Sequence, residues 1–254
     1  AQAAGVMAAG LAVLGMCFLA LGLFWPRALA WGGVFLLLSG GADAFQKGPF
    51  MTPAQPALFL SGLLALRSGT LFLRPKLAPL RTHLLLLALF LALFALKTLP
   101  HPGAVLPWGL TLLHGGSFLV AYLALAVGTG AGVLCVLQDL RLRLVPWKAL
   151  GAPPFWSLRR LERGYLRVGY LAATLGLASG MAWAWRYFGS PLAPDPKEVP
   201  VLLGWLLLTL YFLLEKRLQG WTRALILLLA YGLLLFAFMG APFLGSRHPS
   251  RLGF

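Results

Sequence analysis

Four histidines offer imidazole nitrogens to a transition metal, and two of them, His114 and His248, stand on either side of an unusual polar segment. That segment, Gly180 to Glu198, carries the aromatic run Trp183, Trp185, Tyr187 and Phe188. It then passes through a Gly189-Ser190-Pro191 turn and ends in Asp195-Pro196-Lys197-Glu198. Gly115, Gly116 and Ser117 follow His114 and leave little bulk beside its imidazole. Two imidazoles at equal depth beside an aromatic loop suit the axial positions of a flat, apolar, carboxylate-bearing macrocycle, with Arg186 or Lys197 pairing with the carboxylates. Taken singly, each histidine reads better as an interfacial or loop residue, and only their joint placement points to ligation. His83, after a basic loop, is expected to be interfacial, and His101, beside two prolines, an ordinary loop residue.

Other chemistries find little support. Cys17 and Cys135 lie in different apolar runs with no C-x-x-C, so both are expected to be small packing residues. There is no P-loop, no Gly-x-Ser-x-Gly and only six acidic residues, so no hydrolytic or nucleotide chemistry is indicated and no catalytic residue is assigned. The net charge of +15 would suggest nucleic acid in a soluble protein, but no basic run interleaved with aromatics forms a soluble face. No nucleic-acid partner is expected.

The elements that must position these groups are membrane helices. The 254 residues are 60% hydrophobic and only 11% charged, with a mean hydropathy of +0.84, against about a quarter charged in soluble domains. Continuous Leu-rich runs such as Leu84 to Leu96 exclude the alternating pattern of a transmembrane barrel. A crossing needs roughly 20 apolar residues. Eight such runs are expected, near 6–24, 29–45, 56–73, 82–98, 106–137, 165–187, 199–214 and 223–244. Ala28-Leu29-Ala30 mimics a signal-cleavage site. No basic segment precedes it, however, and apolar sequence follows, so the first run is expected to be a retained helix.

The expected fold is therefore an all-α integral membrane protein, a bundle of about eight transmembrane helices in one domain, 1–254, with a four-helix N-terminal half at 1–104. Threading the chain through those spans puts 15 of its 21 Lys and Arg residues on one side and six on the other. The basic side should be cytoplasmic. Both termini and the Gly180–Glu198 segment then face outward, in a multi-pass protein of a bacterial-type cytoplasmic (inner) membrane.

Within this frame Asp43 and Lys47 are read as a snorkelling pair near a helix end. Gly128 with Gly132, and Gly176 with Gly180, are each four apart and should let helices approach closely. Residues 139–164, basic and rich in Pro and Trp, are read as an interfacial loop at the headgroups, with partner docking as the alternative.

In register, Phe188-Gly189-Ser190-Pro191-Leu192-Ala193-Pro194-Asp195-Pro196-Lys197-Glu198 resembles the signature loop W-G-x-x-W-x-W-D-P-K-E of the cytochrome c assembly proteins of the CcsA, CcmC and HemX type. Gly189 and Asp195 to Glu198 match, and Gly176, Ser179-Gly180, Trp183-Ala184 and Trp205 resemble the family's flanking pattern. His114, with Tyr122 eight residues on, looks like the family's first outer histidine. His248, in a Phe-Leu-Gly-x-x-His context, looks like the second.

The resemblance covers roughly 108–254, which makes 105–254 the haem-handling half. It implies haem b held between His114 and His248 as iron ligands, beside Trp183, Trp185, Arg186, Phe188, Gly189, Asp195 and Lys197. Delivery to an apocytochrome c with a second assembly subunit, as a component of a haem lyase, is also implied. Three signature tryptophans are replaced, by Phe188, Leu192 and Pro194. That departure keeps open a HemX-like regulatory or scaffold protein with weak or no haem binding. A small-molecule transporter is the third reading, and it lacks broken helices and midplane charges.

Overall fold

The chain, in a computed structural model, is described over residues 2–48, 52–100, 108–144, 154–191, 197–218 and 220–240. Among the described residues eight α-helices occur in order: α1 (Gln2–Leu21), α2 (Ala28–Lys47), α3 (Ala54–Thr70), α4 (Ala78–Thr98), α5 (Trp108–Leu144), α6 (Phe155–Phe188), α7 (Glu198–Leu214) and α8 (Gly220–Gly240). Two short 3-10 turns, Leu71–Leu73 and Pro75–Leu77, join α3 to α4. No strand occurs among the described residues.

Five of these segments are long and apolar enough to cross a membrane: Ala28–Lys47, Ala54–Leu73, Pro75–Thr98, Thr111–Leu144 and Gly220–Gly240. Gly5–Leu21 and Glu198–Leu214 are apolar but shorter. In α6 the apolar stretch is diluted by Gly, Ser, Thr and aromatic residues, the types that pack closely or hydrogen-bond between membrane helices. The chain is thus an all-helical, multi-pass membrane protein.

Two helices run further than the hydropathy pattern suggests. The 139–164 stretch expected as a loop contains the last turn of α5 and the first ten residues of α6. Arg, Leu and Glu are strong helix formers, so this polar segment continues the rod once Pro154 has started it. α5 spans 37 residues and α6 spans 34, and their mutual interface is the most extensive in the molecule.

Small residues set the helix spacing. A Cβ on Gly33 or on Gly62 would lie 2.9 Å from the other's carbonyl oxygen, so α2 and α3 touch backbone to backbone. Gly128 faces the Leu166 backbone and Gly169 the Leu125 backbone, which gives α5 and α6 the same close approach. Buried hydroxyls then bond neighbouring carbonyls: Ser39 to Ala8 at 2.6 Å, Ser61 to Ala88 at 2.6 Å and Tyr122 to Leu234 at 3.0 Å.

Asp43 does pair with Lys47, at 2.8 Å, but it is fully buried rather than snorkelling. Its carboxylate also accepts from Thr52 Oγ1 and Gln55 Nε2, both at 2.9 Å, and Lys47 Nζ donates to the Leu99 carbonyl at 2.7 Å. The pair joins α2, α3 and α4, because a charge withdrawn from solvent has to be met by several partners at once. Cys135 is buried as expected of a packing residue, whereas Cys17 faces outward.

Candidate functional site

His114 lies in the second turn of α5, against the glycine stripe of α6. Its Nδ1 is 2.9 Å from the Gly176 carbonyl oxygen. A carbonyl only accepts, so Nδ1 carries the N–H and, in the neutral ring, the lone pair is on Nε2. Metal-binding histidines usually have this arrangement, in which the second nitrogen is tied to a carbonyl or carboxylate and the ring is thereby oriented.

The glycines make this possible. A Cβ on Gly180 would sit 2.8 Å from His114 Cε1 and 2.9 Å from Nδ1, and one on Gly176 would sit 2.8 Å from the Phe118 ring. Phe118 meets His114 edge-on, with centroids 5.0 Å apart, and leads through Tyr122 (6.0 Å) to Phe238 of α8 (5.2 Å). The imidazole is therefore braced by α6 on one side and by a row of rings reaching α8 on the other.

Trp183, one turn beyond Gly180 on the same face, is buried at 8% exposure. Trp185 is 63% exposed and lies roughly 140° around the helix from Gly180, so it does not join His114. Arg186 is also exposed. Phe188 ends α6, and Gly189 caps the helix with φ of 71° while its N–H reaches the Trp185 carbonyl at 3.0 Å. The left-handed conformation explains why a glycine stands where the chain leaves the helix.

Lys197, immediately before α7, is close enough to His114 for their charges to interact. The described structure thus brings together His114, Gly176, Gly180 and Lys197, with Trp183 on the Gly180 face of α6. His248, Asp195 and His101 lie outside the described residues. His83 is exposed at the start of α4, and its ring edge lies against Gly130 of α5 rather than in this cluster. Among the described residues no three His, Cys, Asp or Glu gather as a metal site.

A second cluster escaped the sequence reading. Glu162 of α6 is fully buried, and its Oε1 accepts from Arg223 Nε of α8 at 2.7 Å and from the Tyr211 hydroxyl of α7 at 3.0 Å. Arg223 Nη2 also donates to the Tyr211 oxygen at 2.5 Å, and Arg159 approaches Glu162 Oε2 at 3.4 Å. Gly132 of α5 makes room, since a Cβ there would be 3.1 Å from Glu162 Oε1. The one hint in sequence was an acid inside a run of arginines facing a small residue on the preceding helix.

Comparison with known proteins agrees with the geometry. The family profile described as Cytochrome C assembly protein matches residues 56–248, more than three quarters of the chain and well upstream of the resemblance read from the loop. Similar proteins include the cytochrome c biogenesis protein CcsA of Prochlorococcus marinus, 35% identical over 91 residues, which are 35% of this chain and 29% of that protein. The CcsA of Thermosynechococcus vestitus is 28% identical over 125 residues, covering 48% of this chain and 38% of its own length. That of Chlamydomonas reinhardtii is 26% identical over 137 residues, covering 53% and 38%. The chain thus aligns with less than two fifths of the length of each of these relatives. No solved structure matches. With a membrane helix bundle, a tautomer-fixed histidine on a glycine stripe and a profile match across most of its length, the chain belongs to the cytochrome c assembly protein family.

Proposed function

We propose that this protein holds haem b as cargo at the outer face of a bacterial-type cytoplasmic membrane, for delivery to an apocytochrome c together with a second assembly subunit. His114 and His248 are the iron ligands in this reading. The observation that carries it is the hydrogen bond from His114 Nδ1 to the Gly176 carbonyl, which orients the ring and puts the lone pair of the neutral imidazole on Nε2. Lys197 is the better-placed cation for a propionate, because it stands near the imidazole whereas Arg186 is exposed. Trp183 supplies buried aromatic surface on the same helix face.

The reading includes eight crossings with both termini outside, as the division of basic residues requires. Two axial histidines leave iron no open position, so the protein's part is to hold and orient, and oxygen chemistry is not expected. The half formed by 1–104 then buttresses α5.

The replacement of three signature tryptophans by Phe188, Leu192 and Pro194 favours a second reading, a HemX-like regulatory scaffold without haem ligation. Absorption spectroscopy of the purified, haemin-reconstituted protein separates the two. Ligation gives a low-spin spectrum with sharp reduced-state bands, which is lost or broadened in His114→Ala and in His248→Ala and kept in His83→Ala. A spectrum indifferent to His114 and His248 ends the ligation reading and leaves the scaffold.

A further inference from the structure

A cavity of about 1040 Å³ opens between the 3-10 turn before α4, the middle of α5 and the first half of α6. It belongs to neither cluster described above. Its mouth carries Arg74, Lys76 and Arg160, all exposed, with Trp156 beside them. Its walls are apolar, with Val120, Leu123 and Ala124 from α5 and Leu161 and Val168 from α6, of which Val120 and Val168 are about half exposed along an open groove.

The charges at the mouth differ from the other cations nearby. Arg67 lies over the Tyr165 ring, Arg81 over Phe72, Arg159 against Phe155 and Glu162, and Arg163 binds Glu215 at 2.8 Å. Arg74, Lys76 and Arg160 have no such partner among the described residues, and no acidic side chain lines the cavity. Three like charges converge there without a counter-ion from the protein, which favours an anion.

The anion must also have an apolar part. From Trp156 to Val168 the cavity follows α6 for 12 residues, roughly 18 Å at the helical rise, close to the length of a fatty acyl chain. Basic pockets between membrane helices with a Trp at the interface suit anionic phospholipids, the headgroup at the cations and a chain along the wall. We propose that this cavity is a specific site for an anionic phospholipid, with Arg74, Lys76 and Arg160 holding the phosphate and the α5–α6 groove taking one acyl chain. The site would tie the 3-10 turn to α6 and does not depend on the haem reading.

Native mass spectrometry of the full chain in detergent, with added phosphatidylglycerol or phosphatidylcholine, tests this. Phosphatidylglycerol should bind about tenfold or more tighter, since each basic residue at an anionic surface contributes on the order of fivefold. The variant Arg74→Gln/Lys76→Gln/Arg160→Gln should lose that preference, while Lys216→Gln/Arg217→Gln, both exposed elsewhere, should keep it. Gly164 lines the cavity, and a Cβ there meets nothing within 4 Å, so Gly164→Phe fills the space without removing a charge and should also abolish binding. Excess inorganic phosphate should not compete. The proposal is overturned by equal binding of the two lipids, by a preference that survives in both cavity variants, by displacement with inorganic phosphate, or by haem in place of lipid as the species lost in those variants.

Discussion

At one end of the α5–α6 pair an imidazole is held by its bond to the Gly176 carbonyl and by a glycine stripe. Roughly 25 Å along α6, a carboxylate is enclosed by two arginines and a tyrosine drawn from three helices. Both sites are built on small residues, Gly180 opposite His114 and Gly132 opposite Glu162. They differ in how the group is held. At Glu162 the charge is met from α6, α7 and α8, so the cluster closes on itself. At His114 the bond to Gly176 orients the ring, and in the haem-binding reading Nε2 is the nitrogen that would meet iron. An ionisable group inside a membrane bundle is a functional candidate by default. Here Glu162 is tied on all sides by protein groups, whereas His114 is the group to which the proposed function assigns ligation.

The largest expected effect follows from the closed end. Arg223→Met should leave the buried Glu162 with the Tyr211 hydroxyl and, as its remaining cation, only the more distant Arg159, and breaking a buried pair from one side costs about 3–5 kcal/mol. Thermal unfolding in detergent should fall sharply. The double variant Glu162→Leu/Arg223→Met should recover most of that loss, since an apolar pair of similar volume avoids the desolvation penalty. An unchanged melting profile in the single variant would mean that the cluster is not a structural tie. A smaller effect is expected at the open end. Gly180→Leu should cost about 1–3 kcal/mol through overpacking and should displace the imidazole that its Cβ would touch at 2.8 Å. Haem uptake by that variant should drop more than its folded yield does, and equal losses would make Gly180 a packing residue only.

Most of the helical order was legible because long apolar runs and Gly-Pro breaks are local signals. The limits of α6 were not. Hydropathy marks where a helix enters the apolar region, whereas Arg159 to Arg163 are helical for reasons of backbone propensity. His114 and the Gly176–Gly180 stripe could be read from spacing, since residues four apart share a face. Their partnership could not, because it depends on the register of α5 against α6. Asp43 was matched correctly to Lys47, four residues away, but the contributions of Thr52, Gln55 and Leu99 come from other helices. Glu162 was lost for the same reason in stronger form: Tyr211 and Arg223 lie 49 and 61 residues along the chain. Trp183 and Trp185 looked alike in sequence, and only the helix face tells the buried ring from the exposed one.

Chemical rescue is the most direct test of His114 as an iron ligand. His114→Gly, reconstituted with haemin, should lack the low-spin spectrum of the parent protein. Added imidazole, entering the space left by the side chain, should restore it in a saturable manner, while the parent protein is unaffected. A His114→Gly protein that binds haem with an unaltered low-spin spectrum and no response to imidazole would contradict the account.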